Sequence, residues 1–487
     1  MSKKKKSGQV FTPDYLVNCI LDVAGYCNGN ISRRHVIDNS CGDGAFLVEI
    51  VRRYCVDYLG HCSDKHVLAK QLSKYIHGIE LDSEHHATCI ARLNHIVREY
   101  GVDGVEWDII NDNTLNVHRF DNRMDFVVGN PPYVRVHNLD TNYENVKKYG
   151  FASGGMTDLY LVFFQIGFKM MSPNGKLCYI TPSSWINSVA GDNFRHYIAA
   201  NKNLMRLIDL QHFQAFEAAT TYTMISLFNA EGNCAKFSYE IFDEVRKTPE
   251  PIDYLSIDDI LFGNSFILGS QQQLAIFGEI VNHLGNKYAV VKNGFATLAD
   301  NIFIADSFPF KSNIIPIIKA STGKWRKAIY PYDKSGTPLP FDELSQDVGQ
   351  YLMQNRGALL KGKDAQSAPT WYLYGRTQAL RDVSKEKWSI NQVIRGIESV
   401  KLNKVPSGSG LYSGLYIMTN ASEIILREAL ICDDFINYIT MLKKYKSGGY
   451  YTFNSRDLEC FLNYKIDLLN KNKHEQSRIF GSNPSLF

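Results

Sequence analysis

Asn130-Pro131-Pro132-Tyr133 follows an apolar run, Asp125-Phe126-Val127-Val128-Gly129. The oxygen of Asn130 and the backbone carbonyl of Pro131 form a pair of acceptors able to take both N–H groups of an aromatic amine. Such an amine is a poor nucleophile because its lone pair is conjugated into the ring. Accepting its two hydrogens localises the lone pair and aims it at an electrophilic carbon. The prolines fix the carbonyl geometry, and Tyr133 supplies a face on which an unpaired base can stack. The plainer alternative is a proline turn with a core tyrosine. A given tetrapeptide arises by chance in roughly 0.3% of chains this long, and its placement after a strand makes chance less attractive still.

Two further constellations precede it. In Val36-Ile37-Asp38-Asn39-Ser40-Cys41-Gly42-Asp43-Gly44-Ala45-Phe46-Leu47, a strand runs through a glycine turn into a helix. Such a turn lets backbone approach a ligand closely at the carboxyl end of a strand. The spacing is not the dinucleotide pattern, and an acid at the strand end would repel a pyrophosphate while suiting a cation. An ordinary strand-to-helix connection remains the alternative. In Gly78-Ile79-Glu80-Leu81-Asp82, an acid ends a second strand. Glu80 can accept two ribose hydroxyls, or equally serve as a helix-capping acid. Asp108, in Trp107-Asp108-Ile109, is read as closing a third apolar segment, where it could accept from an adenine amino group with Ile109 against the ring.

These groups must be delivered to one edge of a sheet, and the first half of the chain has the pattern to do so. Short apolar segments alternate with helical ones, as in a mostly parallel sheet covered by helices. Strands are expected at His35–Asp38, Tyr75–Glu80, Val105–Ile110, Asp125–Gly129, Lys176–Thr181, Met205–Leu210 and Tyr222–Phe228, about seven in all. Thr12 is expected to cap a helix with Pro13 in its first turn, since Leu16, Val17, Ile20, Leu21 and Ala24 recur at helical spacing. A second helix is expected from Ala45, and Asp82 to cap a third. The periodicity becomes irregular after about residue 235. The expected organisation is a doubly wound α/β domain over 1–240, a linker over 241–270, and a mixed α+β domain over 271–487.

Composition excludes several classes. At 45% hydrophobic and 21% charged residues, the 487-residue chain is that of a well-buried globular protein, and it contains no run near the roughly 20 apolar residues that span a bilayer. Lys3-Lys4-Lys5-Lys6 is followed by no apolar signal core, so the tail reads as solvated or as a phosphate contact. The ten cysteines include no Cys-x-x-Cys pair and read as reduced core residues of a cytoplasmic protein without a structural metal. Residues 1–250 carry 26 basic against 28 acidic side chains, a balance of −2, whereas 251–487 carry 27 against 22, a balance of +5. The second half is therefore the better candidate for a polyanion, with Lys324, Arg326, Lys327, Lys361, Lys363, Arg376, Arg381 and Arg395 as candidate contacts.

With these residues in view, the chain resembles the gamma group of N6-adenine DNA methyltransferases, the Thermus aquaticus type of type II restriction-modification systems. Gly8-Gln9-Val10-Phe11-Thr12-Pro13 is similar to the motif that precedes the glycine turn in that group. The turn, the acidic strand end and Asn-Pro-Pro-Tyr follow in the group's order, as do Asp158-Leu159-Tyr160 and Pro173-Asn174-Gly175-Lys176. The resemblance covers residues 8–230 and implies a Rossmann-like methyltransferase domain followed by a target-recognition domain. S-Adenosylmethionine is the implied cofactor, bound by Phe11, Thr12, Pro13, Asp38, Ser40, Cys41, Gly42, Gly44, Glu80, Leu81, Asp108, Ile109 and Asn130. Asn130, Pro131, Pro132 and Tyr133 would hold a flipped adenine. Phe216, in Phe213-Gln214-Ala215-Phe216, matches the group's aromatic contact to that base, with Phe213 as second choice.

The implied partners are double-stranded DNA bearing a short specific sequence and a cognate restriction endonuclease on a separate chain. Tyr372–Leu380 and Ser407–Tyr412 resemble stretches of the recognition domain. Asp38-Asn39-Ser40-Cys41 departs from the usual Asp-Pro-Ala-Cys, a change expected to alter loop stiffness more than chemistry. Glutamine methylation of a translation factor also uses Asn-Pro-Pro-Tyr, but without so large a C-terminal domain. A modification subunit would carry a helical domain ahead of its Thr-Pro motif, so with Gly8 so near the start the chain reads as self-sufficient.

Overall fold

The computed structural model describes residues 12–136, 146–153, 157–216, 221–360 and 369–481, with side chains to residue 473. The chain divides into two compact units between Leu274 and Ala275.

In the first unit, nine strands form one sheet in the order β3-β2-β1-β4-β5-β7-β6-β8-β9. They are β1 (Val36–Asp38), β2 (Ile76–Glu80), β3 (Asp108–Asn111), β4 (Met124–Gly129), β5 (Met171–Pro182), β6 (Leu204–Asp209), β7 (Thr223–Asn229), β8 (Phe237–Asp243) and β9 (Thr248–Leu255). The run β3-β2-β1-β4-β5 is parallel, so the carboxyl ends of these five neighbours share one edge. β7 enters antiparallel between β5 and β6. The seven expected segments are all strands, with ends shifted by a few residues, but β8 and β9 bring the sheet to nine strands where about seven were expected.

Helix α1 (Asp14–Ala24) buries Leu16, Val17, Ile20, Leu21 and Ala24 and ends at Gly25 in the left-handed conformation. Its N-cap is Pro13 and no side chain caps it. Thr12 does not cap the helix as expected, because its hydroxyl is turned towards Asn130. Helices α2 (Ala45–Leu59), α3 (Lys65–Tyr75) and α4 (Ser83–Glu99) join α1 on one face of the sheet, in a core shared with Phe126, Val128, Cys178 and Ile180. Asp82 caps α4 by accepting the Glu84 and His85 N–H groups at 2.9 and 3.1 Å. Helices α5 (Leu159–Met170) and α6 (Asp192–Asn201) contribute Phe164 and Phe194 to an aromatic cluster with Phe228 of β7 and Trp185. Both faces of Phe126–Gly129 in β4 and of Leu177–Ile180 in β5 are thereby buried, which is why these segments read as unbroken apolar runs rather than alternating ones.

Two further expectations need correction. The 241–270 linker does not exist as such: β8 and β9 pair antiparallel across it as the outer hairpin of the sheet, and Leu261–Phe262 pairs with Ser265–Phe266. The division between units instead falls within the helix Gln271–Val281. Nor are all cysteines in the core, since Cys27 and Cys62 are exposed while Cys19, Cys41, Cys55, Cys89 and Cys178 are buried.

The second unit is mixed α+β. One four-stranded sheet joins Ala289–Asn293, Leu415–Thr419, Lys387–Ile390 and Leu402–Val405, and another joins Ile304–Ala305, Lys324–Ile329, Ile314–Lys319 and Gly410–Tyr412. The segment Trp371–Tyr374 proves to be core: Tyr372 and Tyr374 hydroxyls donate to the Leu339 and Ile329 carbonyls at 2.7 and 2.6 Å.

Candidate active site

The glycine turn after β1 is built from its backbone. Gly42 and Gly44 have φ of 56° and 89°, the left-handed region that disfavours residues with a Cβ. The Cys41 N–H donates to the Ile79 carbonyl at 3.0 Å, and the Gly44 N–H to the Cys41 carbonyl at 2.8 Å. A Cβ on Gly42 would meet nothing within 4 Å, so the turn has an open side, whereas one on Gly44 would stand 2.8 Å from Cys89 Sγ.

Two acids flank the turn. Asp38 is 1% exposed and accepts the Ser40 N–H at 3.0 Å. Burial pushes its carboxyl up to about 7, against the Ser40 hydrogen bond and with help from the Glu80 charge. β4 crowds it too, since a Cβ on Gly129 would lie 2.7 Å from Asp38 Oδ1. Glu80 Oε2 accepts from the Gly42 N–H and Oε1 from the Asp82 N–H, both at 2.8 Å. A carboxylate oxygen can accept more than one hydrogen bond, so ties to the turn and a role towards a ligand are compatible. Leu81 stands 67% exposed beside Glu80.

Asn130 begins the segment after β4. Its Nδ2 donates to Thr12 Oγ1 at 3.1 Å, and its carbonyl accepts from Ser40 Oγ at 3.5 Å. These bonds draw the segment before α1, the glycine turn and the end of β4 together. Pro131 is buried and Pro132 half-buried. The Tyr133 hydroxyl donates to the Ile180 carbonyl at 3.3 Å, and burial raises it well above the usual phenol range. Phe216, 3% exposed, meets the Tyr133 ring edge-on at 6.1 Å between centroids. Phe213 lies elsewhere, stacked on Phe242 at 5.6 Å beneath Lys247.

Not every expected residue reaches this place. Asp108 opens β3 instead of ending it, opposite His77, while Asn111 stands opposite Glu80. His77 is buried, which pushes its imidazole down to about 3; it is neutral, donates from Nδ1 to Asp108 at 2.6 Å and accepts on Nε2 from His35 Nδ1 at 2.8 Å. Asp108 also pairs with Arg119, so its carboxylate serves this chain of side chains behind the edge. Parallel pairing counted from Glu80 would have led to Asn111, whose amide donates to the Glu80 and Leu81 carbonyls at 2.8 and 3.1 Å. Ile109 packs in the core beneath Gly78 beside Leu47. Phe11 lies outside the described residues, as do Lys361 and Lys363.

Sequence reasoning also missed what holds Asn39. Fully buried, it accepts from the Tyr179 hydroxyl at 2.9 Å through Oδ1, and its carbonyl accepts from the Thr114 hydroxyl at 2.6 Å. Where the expected proline would stiffen the turn through its ring, Asn39 does so through hydrogen bonds. Among the described residues no cluster of three or more His, Cys, Asp or Glu is arranged to hold a metal ion, and no helix is long and apolar enough to cross a membrane.

Residues 61–216 match the Eco57I restriction-modification methylase family. Over 75% of its length the chain is 25% identical to the type II methyltransferase M.BstVI of Geobacillus stearothermophilus, covering 73% of that protein. The chain is a homologue of the type II restriction-modification methyltransferases. Among these homologues it is also 26% identical to M.XhoI of Xanthomonas vasicola, over 70% of this chain and 68% of that one. It is 25% identical to the restriction enzyme and methyltransferase RM.Eco57I of Escherichia coli, over 77% of this chain and 48% of that one. The fold is shared with the type IIL restriction-modification enzyme MmeI, solved in complex with DNA: the TM-score is 0.62 at 13% identity, over 91% of this chain and 63% of that one. The chain thus spans about half of RM.Eco57I and less than two thirds of MmeI.

Proposed function

We propose that this protein transfers a methyl group from S-adenosylmethionine to N6 of an adenine flipped out of double-stranded DNA, within a short specific sequence, as the modifying activity of a restriction-modification system. The observation that carries the reading is the convergence of Asn130-Pro131-Pro132-Tyr133 with the glycine turn and the acids Asp38 and Glu80 at one sheet edge. The resident residues fit the cofactor. A buried carboxyl raised towards neutrality suits an ammonium, Glu80 stands at the strand end as a carboxylate of the kind that accepts ribose hydroxyls, exposed Leu81 offers an apolar face for adenine, and the turn is open above Gly42. When bound, S-adenosylmethionine supplies a methyl group on a cationic sulfur. The place first given to Asp108 passes to Asp112, whose N–H donates to the Glu80 carbonyl at 3.1 Å.

The protein's own residues would do the rest. The Asn130 side-chain oxygen and the Pro131 carbonyl accept the two N6 hydrogens, and Thr12 holds the Asn130 amide so that the oxygen, not the nitrogen, points at the amine. Tyr133 and Phe216 form the aromatic wall for the extruded base. Extrusion is required because N6 lies inside a paired helix. Base and phosphate contacts belong to the second unit, with cleavage of unmodified DNA assigned to a separate endonuclease.

Single-molecule sequencing of plasmid DNA from a methylation-deficient host expressing the chain tests the reading. The expected result is N6-methyladenine confined to one short motif and absent with Asn130→Ala, which should still bind S-adenosylmethionine. Unmodified DNA, or substantial methylation by the variant, would overturn it.

A further inference from the structure

Lys247 lies in the turn between β8 and β9, outside every motif that the sequence singles out. Its φ is 58°, a left-handed conformation that glycine or asparagine adopts more readily than lysine. The turn holds it there. The Lys247 N–H donates to the Asp243 carbonyl at 2.8 Å, and the Asp243 carboxylate accepts from the Val245 and Arg246 N–H groups at 2.8 and 2.9 Å. So fixed, the side chain carries its ammonium over two rings, 4.4 Å from the Phe213 centroid and 4.9 Å from that of Tyr15. Both distances fall within the roughly 6 Å at which a ring face attracts a cation. Phe213 and Tyr15 are 6.3 Å apart between centroids, and Phe242 of β8 lies 5.6 and 6.5 Å from them.

Each ring belongs to a segment that reaches the proposed adenine pocket. Tyr15 is in the first turn of α1, three residues after Thr12, whose hydroxyl accepts from the Asn130 amide. Phe213 is three residues before Phe216, whose ring meets Tyr133. Residues 211–216 have left the sheet after β6. The Gln211 N–H donates to the Asp209 carboxylate at 2.8 Å, the Phe213 N–H to the Leu210 carbonyl at 2.9 Å and the Ala215 N–H to the Phe213 carbonyl at 3.1 Å. These bonds close on the segment or on the strand it leaves, so they give it shape without tying it to another element. Side chains make that tie: Phe216 is buried, whereas Phe213 and Tyr15 are half-buried. A cleft of about 430 Å³ lined by Tyr15, Asn18, Arg206 and Lys247 opens beside them, so apolar packing does not enclose the pair on every side.

We propose that Lys247 is a positioning residue for the methyl transfer: its ammonium clips Tyr15 to Phe213, so that Thr12, which holds Asn130, and the Phe216 wall keep one spacing as the base enters. The proposal rests on the adenine reading above. A cation over a half-exposed ring favours the clipped arrangement by about two- to fivefold, so losing both contacts should lower base capture about five- to tenfold. The test uses the full chain and a duplex bearing the mapped motif. It combines fluorescence of 2-aminopurine at the target position, single-turnover methylation of the unsubstituted duplex, and hydrogen exchange of the protein without DNA. Lys247→Met keeps the length of the side chain and removes the charge. It should speed exchange of the amides of residues 211–216 and cut the fluorescence rise and the methylation rate about five- to tenfold, with S-adenosylmethionine affinity within about twofold of the parent. Lys247→Arg, which keeps a cation over the rings, should return all three readouts to within about twofold. Lys247→Gly relieves the left-handed backbone, so it should be at least as heat-stable as Lys247→Met yet equally slow. Unchanged exchange or unchanged methylation in Lys247→Met would overturn the proposal, as would a deficit that Lys247→Arg shares in full or that Lys247→Gly recovers. If the unaltered chain leaves no N6-methyladenine on any DNA, the adenine reading itself fails, and the positioning role with it.

Discussion

Asp38→Asn should make the unliganded protein more stable and its cofactor binding weaker, two effects of opposite sign from one atom exchange. The Asp38 carboxyl is 1% exposed and accepts a hydrogen bond from the Ser40 N–H. Burial raises it from the ordinary 3.8 to about 7. The folded state therefore holds the proton more tightly than the unfolded state, so stability is highest below the unfolded value, falls as pH rises between the two, and levels off above about 7. A separation near three pH units corresponds to about 4 kcal/mol of destabilisation above that range. Asparagine removes the charge and keeps an acceptor for Ser40, while its buried NH₂ gives back about 1–3 kcal/mol. A net gain of about 1–3 kcal/mol is expected at pH 8, dwindling towards pH 5.

Binding should run the other way. An ammonium at Asp38 favours the ionised carboxyl, so binding releases a proton below pH 7 and affinity declines as pH falls. Losing a hydrogen bond between charged groups costs about 1.5–3 kcal/mol, or about 10–150-fold in Kd, and the variant's affinity should lose its pH dependence in this range. Titration calorimetry with S-adenosylmethionine and denaturant melts, each at pH 5 to 8, measure both. A variant less stable than the parent at pH 8 that binds the cofactor with the parent's affinity and pH profile would refute the argument, since Asp38 would then be a structural carboxylate.

Gly44→Ala should destabilise the first unit by about 2–4 kcal/mol, of which about 1–2 is the left-handed backbone and the rest the overlap with Cys89. Adding Cys89→Ala should recover only the steric part in denaturant titrations; full recovery would mean that the turn is not strained. In the second unit, burial of Asp382 is outweighed by hydrogen bonds from Lys292, Lys385 and Tyr416, which hold its carboxyl far below the usual range. Asp382→Asn should cost about 1–3 kcal/mol at pH 7. Because the folded value is depressed, that difference should fade as pH drops below the unfolded value near 3.8, and a difference undiminished at pH 2.5 would count against the ion cluster.

The positions of most candidate residues were legible because the elements that carry them are local. The backbone that strand, glycine turn and helix need is specified by contiguous residues, so Asp38 to Gly44, Glu80 and Asn130 to Tyr133 could be read as strand ends without knowing their neighbours. Asp108 shows where that reading stops. Three residues separate it from the edge, and only hydrogen-bonded register against β2 tells an acid within a strand from one at its end. The supposed linker fails for a related reason: β9 is a mostly exposed edge strand containing two prolines, Pro249 and Pro251, and its composition resembles loop until β8 is seen to pair with it.

Local chemistry in this chain thus follows from residue order, because turn geometry, helix capping and acceptor spacing act over a few bonds. Which distant residues meet follows from packing. The bonds of Thr12 to Asn130 and of Tyr179 to Asn39, and the Tyr133–Phe216 pair, each join segments at least 83 residues apart in the sequence. No periodicity encodes such meetings. They arise when strand register and the burial of apolar faces bring two segments to the same place, and there a side chain's partner is set by what the rest of the fold leaves beside it.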